Sequence, residues 1–131
     1  MNFAYTIVYV ADVPASLAFF EQAFGLKTRF LHESNAYGEV DTGTGGATLA
    51  FVDHDTARES VQHDYVRADT SPQPLGMEIG FTVTDVQAAY DRAVAAGARA
   101  LAAPLTKPWG QTVAYVRCPD GTLVELCTAM G

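Results

Sequence analysis

Positive charge is scarce in this chain. Eight Lys and Arg stand against fifteen Asp and Glu, a formal net charge of −7 over 131 residues. Nothing gathers those eight cations into a stripe, so nucleic-acid binding, which needs concentrated positive charge against the phosphates, is excluded as an expectation. No stretch approaches the ~18 consecutive apolar residues of a membrane span. With no basic segment leading into an apolar one at the start, a cytoplasmic protein is expected. Cysteine is equally thin. Cys118 and Cys127 flank the sequence PDG, match neither a C-x-x-C pair nor a zinc spacing, and read as two small buried apolar residues. His32, His54 and His63 show neither HxH nor H-x-x-x-H spacing and read as surface or capping residues. Nucleophile-elbow, Walker and dinucleotide glycine patterns are missing. The GTGG of residues 43–46 reads as a turn between strands, because no helix follows it to receive a phosphate.

What the chain holds in quantity is likeness to itself. FAYTIVYVADV (3–13) and GMEIGFTVTDV (76–86) are alternating apolar runs closed by Asp-Val, with Asp12 and Asp85 73 positions apart. Each is followed by an Ala-rich amphipathic segment that stops at glycine, PASLAFFEQAFG (14–25) and QAAYDRAVAAG (87–97). A fixed internal period predicts a pseudo-symmetric architecture. The length is that of one domain, so the two units are repeats within it: 1–52, a linker over 53–76, and 77–131.

In the first unit the pattern predicts a strand over Phe3 to Val10, a helix from Pro14 to Gly25, and strands over 27–33, 37–42 and 48–52. Both faces of the first strand are apolar, which predicts cover on both sides. The linker is polar, carries Pro72 and Pro74, and is expected to form an ordered cover with a short helix near 56–62. The second unit is read as a strand over 77–83, a helix over 85–96, a short strand over 99–102, and a hairpin pairing 112–118 with 122–127 around Pro119-Asp120-Gly121. That turn sets Tyr115 opposite Glu125, a phenol beside a carboxylate. Alternation puts Glu78 on one face with Gly80 and Thr82, and Ile79, Phe81 and Val83 on the other.

The doubled strand, Asp-Val and helix opening, together with KPWGQTVAYVRCPDGTLVELC (107–127), resembles the vicinal oxygen chelate superfamily of glyoxalase I, bleomycin-resistance proteins and extradiol dioxygenases. The resemblance spans essentially the whole chain. It implies an α+β fold of two tandem βαβββ modules whose mixed sheets curl around a cavity, paired as a homodimer. In metal-dependent members the ligand positions correspond here to Tyr5, Ala50 or a near neighbour, Glu78 and Glu125. Only the two glutamates are good ligands, so no metal is expected; were one divalent ion held, Glu78 and Glu125 would hold it.

Packing of the units as in that family brings Tyr5, Tyr9, Glu78, Tyr115 and Glu125 to one concavity, with Gly80 leaving room and Trp109, on a Pro-Trp-Gly loop, over the opening. Two facing carboxylates must share a proton, hold a cation between them, or be pinned by arginine, with Arg29, Arg99 and Arg117 as candidates. The leading expectation is a metal-free pocket protein that sequesters an aromatic or cationic small molecule. The alternative is a glyoxalase-like or dioxygenase-like enzyme with Glu78 and Glu125 as metal ligands or acid and base, and Tyr5 or Tyr115 as proton donor.

Overall fold

A computed structural model describes residues 1–43 and 45–130. The first unit folds as β1 (Tyr5–Val10), α1 (Val13–Phe24), β2 (Thr28–Leu31), β3 (Tyr37–Val40) and β4 (Thr48–Asp53). A linker helix, α2 (His54–Val61), follows directly. The second unit repeats the order with β5 (Ile79–Thr82), α3 (Val86–Ala96), β6 (Arg99–Thr106), β7 (Thr112–Arg117) and β8 (Leu123–Cys127). The turn expected over 43–46 includes Thr44, which lies outside the described residues.

The two repeats form two four-stranded mixed sheets of matching order, β1-β4-β3-β2 and β5-β8-β7-β6. In each, the opening strand runs parallel to the last strand of its unit, and the remaining pairs are antiparallel. The repeated Asp has a repeated task. Asp12 caps α1 by accepting from the Ala15 N–H, and Asp85 caps α3 by accepting from the Ala88 N–H, each at 3.0 Å. Gly25 and Gly97 close the two helices at positive φ, where a β-carbon is unfavourable.

Each helix covers one face of its sheet, and α1 and α3 pack on each other. The resulting core is continuous, from Val10, Leu17, Phe20, Val40 and Phe51 in the first unit to Val86, Val116, Val124 and Leu126 in the second. Gly38 of β3 lies under α1. A β-carbon there would stand 2.7 Å from Leu17 Cδ1, so the close helix–sheet approach leaves little room for a side chain unless Leu17 shifts.

Several expectations are corrected. β6 extends to Thr106, well past the predicted 102, because its irregular pairing with β7 resumes at Leu105↔Val113. α2 begins at His54, earlier than expected, since Asp53 caps it by accepting from the Thr56 N–H at 2.9 Å. His54 itself is buried, 5% exposed, and is no surface residue. β1 is covered along its whole length on one side only; on the other, the linker brings Tyr65 against Tyr9 alone. Val8 and Val10 enter the core, while Tyr5 and Ile7 remain 55% and 42% exposed. Apart from the ends that the linker reaches, the helix-free faces of both sheets are therefore open within one chain. Cys118 and Cys127 are buried and unbonded to each other, as their spacing implied.

Candidate binding site

On the open face of the second sheet, register alone assembles an acidic cluster. Tyr115 of β7 pairs with Glu125 of β8, and Gly80 of β5 pairs with the same Glu125 from the other side. The Tyr115 hydroxyl donates to Glu125 Oε1 at 2.8 Å. Glu78, two residues before Gly80 and on its side of the chain, is near enough to Glu125 for the two carboxyls to act on each other. Partial burial, then the charge of Glu125 and the hydrogen bond between them, hold the Glu78 carboxyl above its ordinary 4.5. Tyr115 is pushed up to about 12, first by its bond to Glu125 and then by burial. Cys127, on the same face, is pushed up to about 11 by burial and by hydrogen bonding to Glu125, which makes it a poor nucleophile at neutral pH. A β-carbon on Gly80 would meet no atom within 4 Å, so the space beside Glu125 is open.

Arginine does not neutralise this cluster. Arg29 pairs with Glu39 at 3.0 Å, and Arg117 donates to the carbonyls of Ala68 and Ser71 at 2.7 and 2.9 Å. Among the described residues the salt bridges include neither Glu78 nor Glu125. The pair is left with a shared proton or an external cation as the means of relieving its repulsion.

The other expected residues are distributed around this cluster. Tyr9 and Glu78 both line a cavity of about 260 Å³ between β1 and the start of β5. Tyr5 belongs to a separate group on the first sheet, next to Tyr37, whose hydroxyl donates to Glu39 Oε2 at 2.6 Å. Trp109 is 62% exposed on the β6–β7 loop. Its Nε1 donates to Gln111 Oε1 at 3.0 Å, and Gln111 Nε2 in turn donates to the Thr128 carbonyl at 2.9 Å, just past the end of β8.

Sequence reasoning overlooked Gln111, Tyr65 and the Arg29–Glu39–Tyr37 group. Tyr37 and Glu39 alternate along β3, a period-2 signal that puts both on the open face. Nothing local marks Tyr65, which enters through the linker to meet Tyr9 with ring centroids 4.9 Å apart.

A sequence model described as the Glyoxalase/Bleomycin resistance protein/Dioxygenase superfamily matches residues 2–126, and the chain belongs to that family. Solved structures agree. A glyoxalase-related enzyme from Fulvimarina pelagi is 25% identical with a TM-score of 0.81, over 98% of this chain and 88% of that one. A glyoxalase/bleomycin resistance protein/dioxygenase family enzyme from Burkholderia phytofirmans PsJN is 23% identical with a TM-score of 0.75, over 99% and 100%. TioX from Micromonospora sp. ML1 is 20% identical with a TM-score of 0.67, over 98% of each chain. The last two similarities speak for the fold alone. No curated protein matches the chain.

The donors present do not fit the metal centre of the family's metal-dependent members. β1 offers the phenol of Tyr5 and β4 offers Ala50, which leaves two carboxylates. Among the described residues, no group of three or more His, Cys, Asp and Glu side chains is placed to hold an ion.

Proposed function

We propose that the protein binds and sequesters a small aromatic or cationic compound, without a resident metal, and that it does so as a cytoplasmic homodimer. The observation that carries this reading is the Glu78–Glu125 pair: two neighbouring carboxylates on one sheet face, outside the described salt bridges, beside an open space at Gly80. A cation entering there relieves the repulsion, and the neighbouring aromatic rings cover its apolar body. Two buried, unpaired thiols suit a reducing compartment. Glu78→Gln and Glu125→Gln are each expected to cost about 1.5–3 kcal/mol of affinity for basic aromatic compounds, the worth of a charge-assisted hydrogen bond. Calorimetric titration of the two variants, folded and free of added metal, is the test. Unchanged affinity in both, or binding that appears only after a divalent ion is added, overturns the proposal.

A second reading, an acid–base enzyme of the same family, draws on the raised Glu78 carboxyl and the Tyr115–Glu125 bond, which together form a proton-exchanging set. Turnover of a candidate substrate that is lost in Glu78→Gln with binding intact separates catalysis from sequestration.

A further inference from the structure

The acidic pair borders a second feature that the cation reading leaves unused. Between β1 and the start of β5, the linker bends over the open face and encloses a cavity of about 260 Å³. Its walls include Ile7 and Tyr9 from β1, Tyr65 and Leu75 from the linker, Met77 from just before β5, and Leu123 from β8. Glu78 is the one charged residue lining it among the described residues. Glu78 therefore faces Glu125 and also borders an apolar chamber.

The chamber is built, not a gap between loosely placed loops. Tyr65 turns its hydroxyl away from it, to His54 Nδ1 at 2.6 Å, and packs its ring against Tyr9 with an interplanar angle of 61°. The linker is held down beyond Tyr65 by Arg117, which donates to both Ala68 and Ser71. It also rests on Gly121, where a β-carbon would collide with the Ala68 carbonyl.

We infer that the chamber between β1, the linker and Leu123 takes the apolar body of an amphipathic ammonium compound whose charged head lies between Glu78 and Glu125. The inference rests on the cationic reading of the pair and adds the shape of the ligand. The volume falls just below the ~300–1,000 Å³ of pockets for drug-sized molecules. It selects a single ring on a short chain, an arylalkylamine, over a polycyclic or peptide cation. The aromatic edges of Tyr9 and Tyr65 favour a ring over a linear alkyl chain.

Three probes separate the parts: phenethylammonium for the whole ligand, methylammonium for the head, and 2-phenylethanol for the body. Calorimetry at neutral pH is expected to show phenethylammonium binding at least about tenfold more tightly than methylammonium, as burial of a ring implies. Ile7→Trp and Met77→Trp fill the chamber from opposite sides at positions that are 42% and 61% exposed, so at least one is expected to fold, as judged by circular dichroism. Each is expected to bring phenethylammonium down to the methylammonium level and to leave methylammonium unchanged. Glu125→Gln is expected to weaken both amines. Filled variants that keep wild-type affinity for phenethylammonium, with Glu125→Gln still weakened, overturn the chamber and leave the cationic reading standing. Binding of 2-phenylethanol as tight as phenethylammonium, lost in the filled variants, overturns the charged head and with it the cationic reading.

Discussion

Glu78 is the residue at which structure and function pull in opposite directions. Its carboxyl is raised in the folded protein, so its contribution to stability is fully present below the unfolded value of 4.5 and is lost as the pH rises through the folded value. At neutral pH the ionised pair is a cost. Glu78→Gln is therefore expected to raise the thermal unfolding midpoint at pH 7 while weakening amine binding, the combination that marks a residue retained for function. A midpoint that falls on substitution would make Glu78 a structural residue and remove the main support for the binding site. By the same titration, amine affinity declines as the pH drops toward the raised Glu78 value. Because Glu78 is also open to solvent, water screens part of the effect, and the sign is the expectation that counts.

At the scale of elements, the linker is the piece whose attachment matters most. It is fastened at one end by His54, buried at the start of α2, and at the other by Arg117 and the β7–β8 turn. Burial, then the charge of Arg67, lowers the His54 pKa below its ordinary 6.5, against the opposing pull of Asp69 and Asp53, with Arg58 adding to the lowering. A base with a depressed folded value contributes stability that is fully present above the unfolded 6.5 and lost as the pH falls below it. The urea midpoint is thus expected to drop between pH 7 and pH 5, and His54→Gln to flatten that drop. An unchanged pH slope in the variant assigns the titration elsewhere. At the far end, Gly121 has φ +92 and no room for a β-carbon beneath Ala68. Gly121→Ala is expected to destabilise by about 2 kcal/mol or more, from left-handed backbone strain and overpacking together. Its linker amides are expected to exchange faster with deuterium. A loss of stability without faster exchange in the linker would place the strain in the hairpin alone.

For the whole molecule, the feature that demands an occupant is the open face. Tyr5, Phe30 and Leu105, which do not line the chamber, are 45% to 60% exposed on helix-free sheet surfaces. Scattered apolar residues need no explanation, but a contiguous set on sheet faces marks an interaction surface. In the homodimer proposed above, a second copy of the chain would cover these residues. Sedimentation equilibrium at micromolar concentration is expected to give a dimer, and Tyr5→Lys with Phe30→Lys to give a folded monomer. A monomer in the unsubstituted protein would leave these faces to the ligand. Among the described residues, no helix is long and apolar enough to cross a membrane.

Much of this was decided along the chain. The doubled Asp-Val–helix motif specified both helix starts, because an aspartate cap acts on amides three residues away, and the two terminal glycines specified their ends. The PDG turn specified the β7–β8 register, and so the Tyr115–Glu125 bond, since a tight turn leaves the flanking residues little choice of partner. Alternation was enough to send Ile79 and Phe81 to the core and leave Gly80 open. Tertiary structure alone decided the rest. Arg29 went to Glu39 and Arg117 to linker carbonyls because ion pairing depends on which strands become neighbours, which composition does not reveal. His54 was buried, and Tyr65 set against Tyr9, by the path of a linker without periodicity. Tyr5 and Tyr9, four residues apart on one strand face, were parted into different surroundings because the linker folds over only one end of that strand.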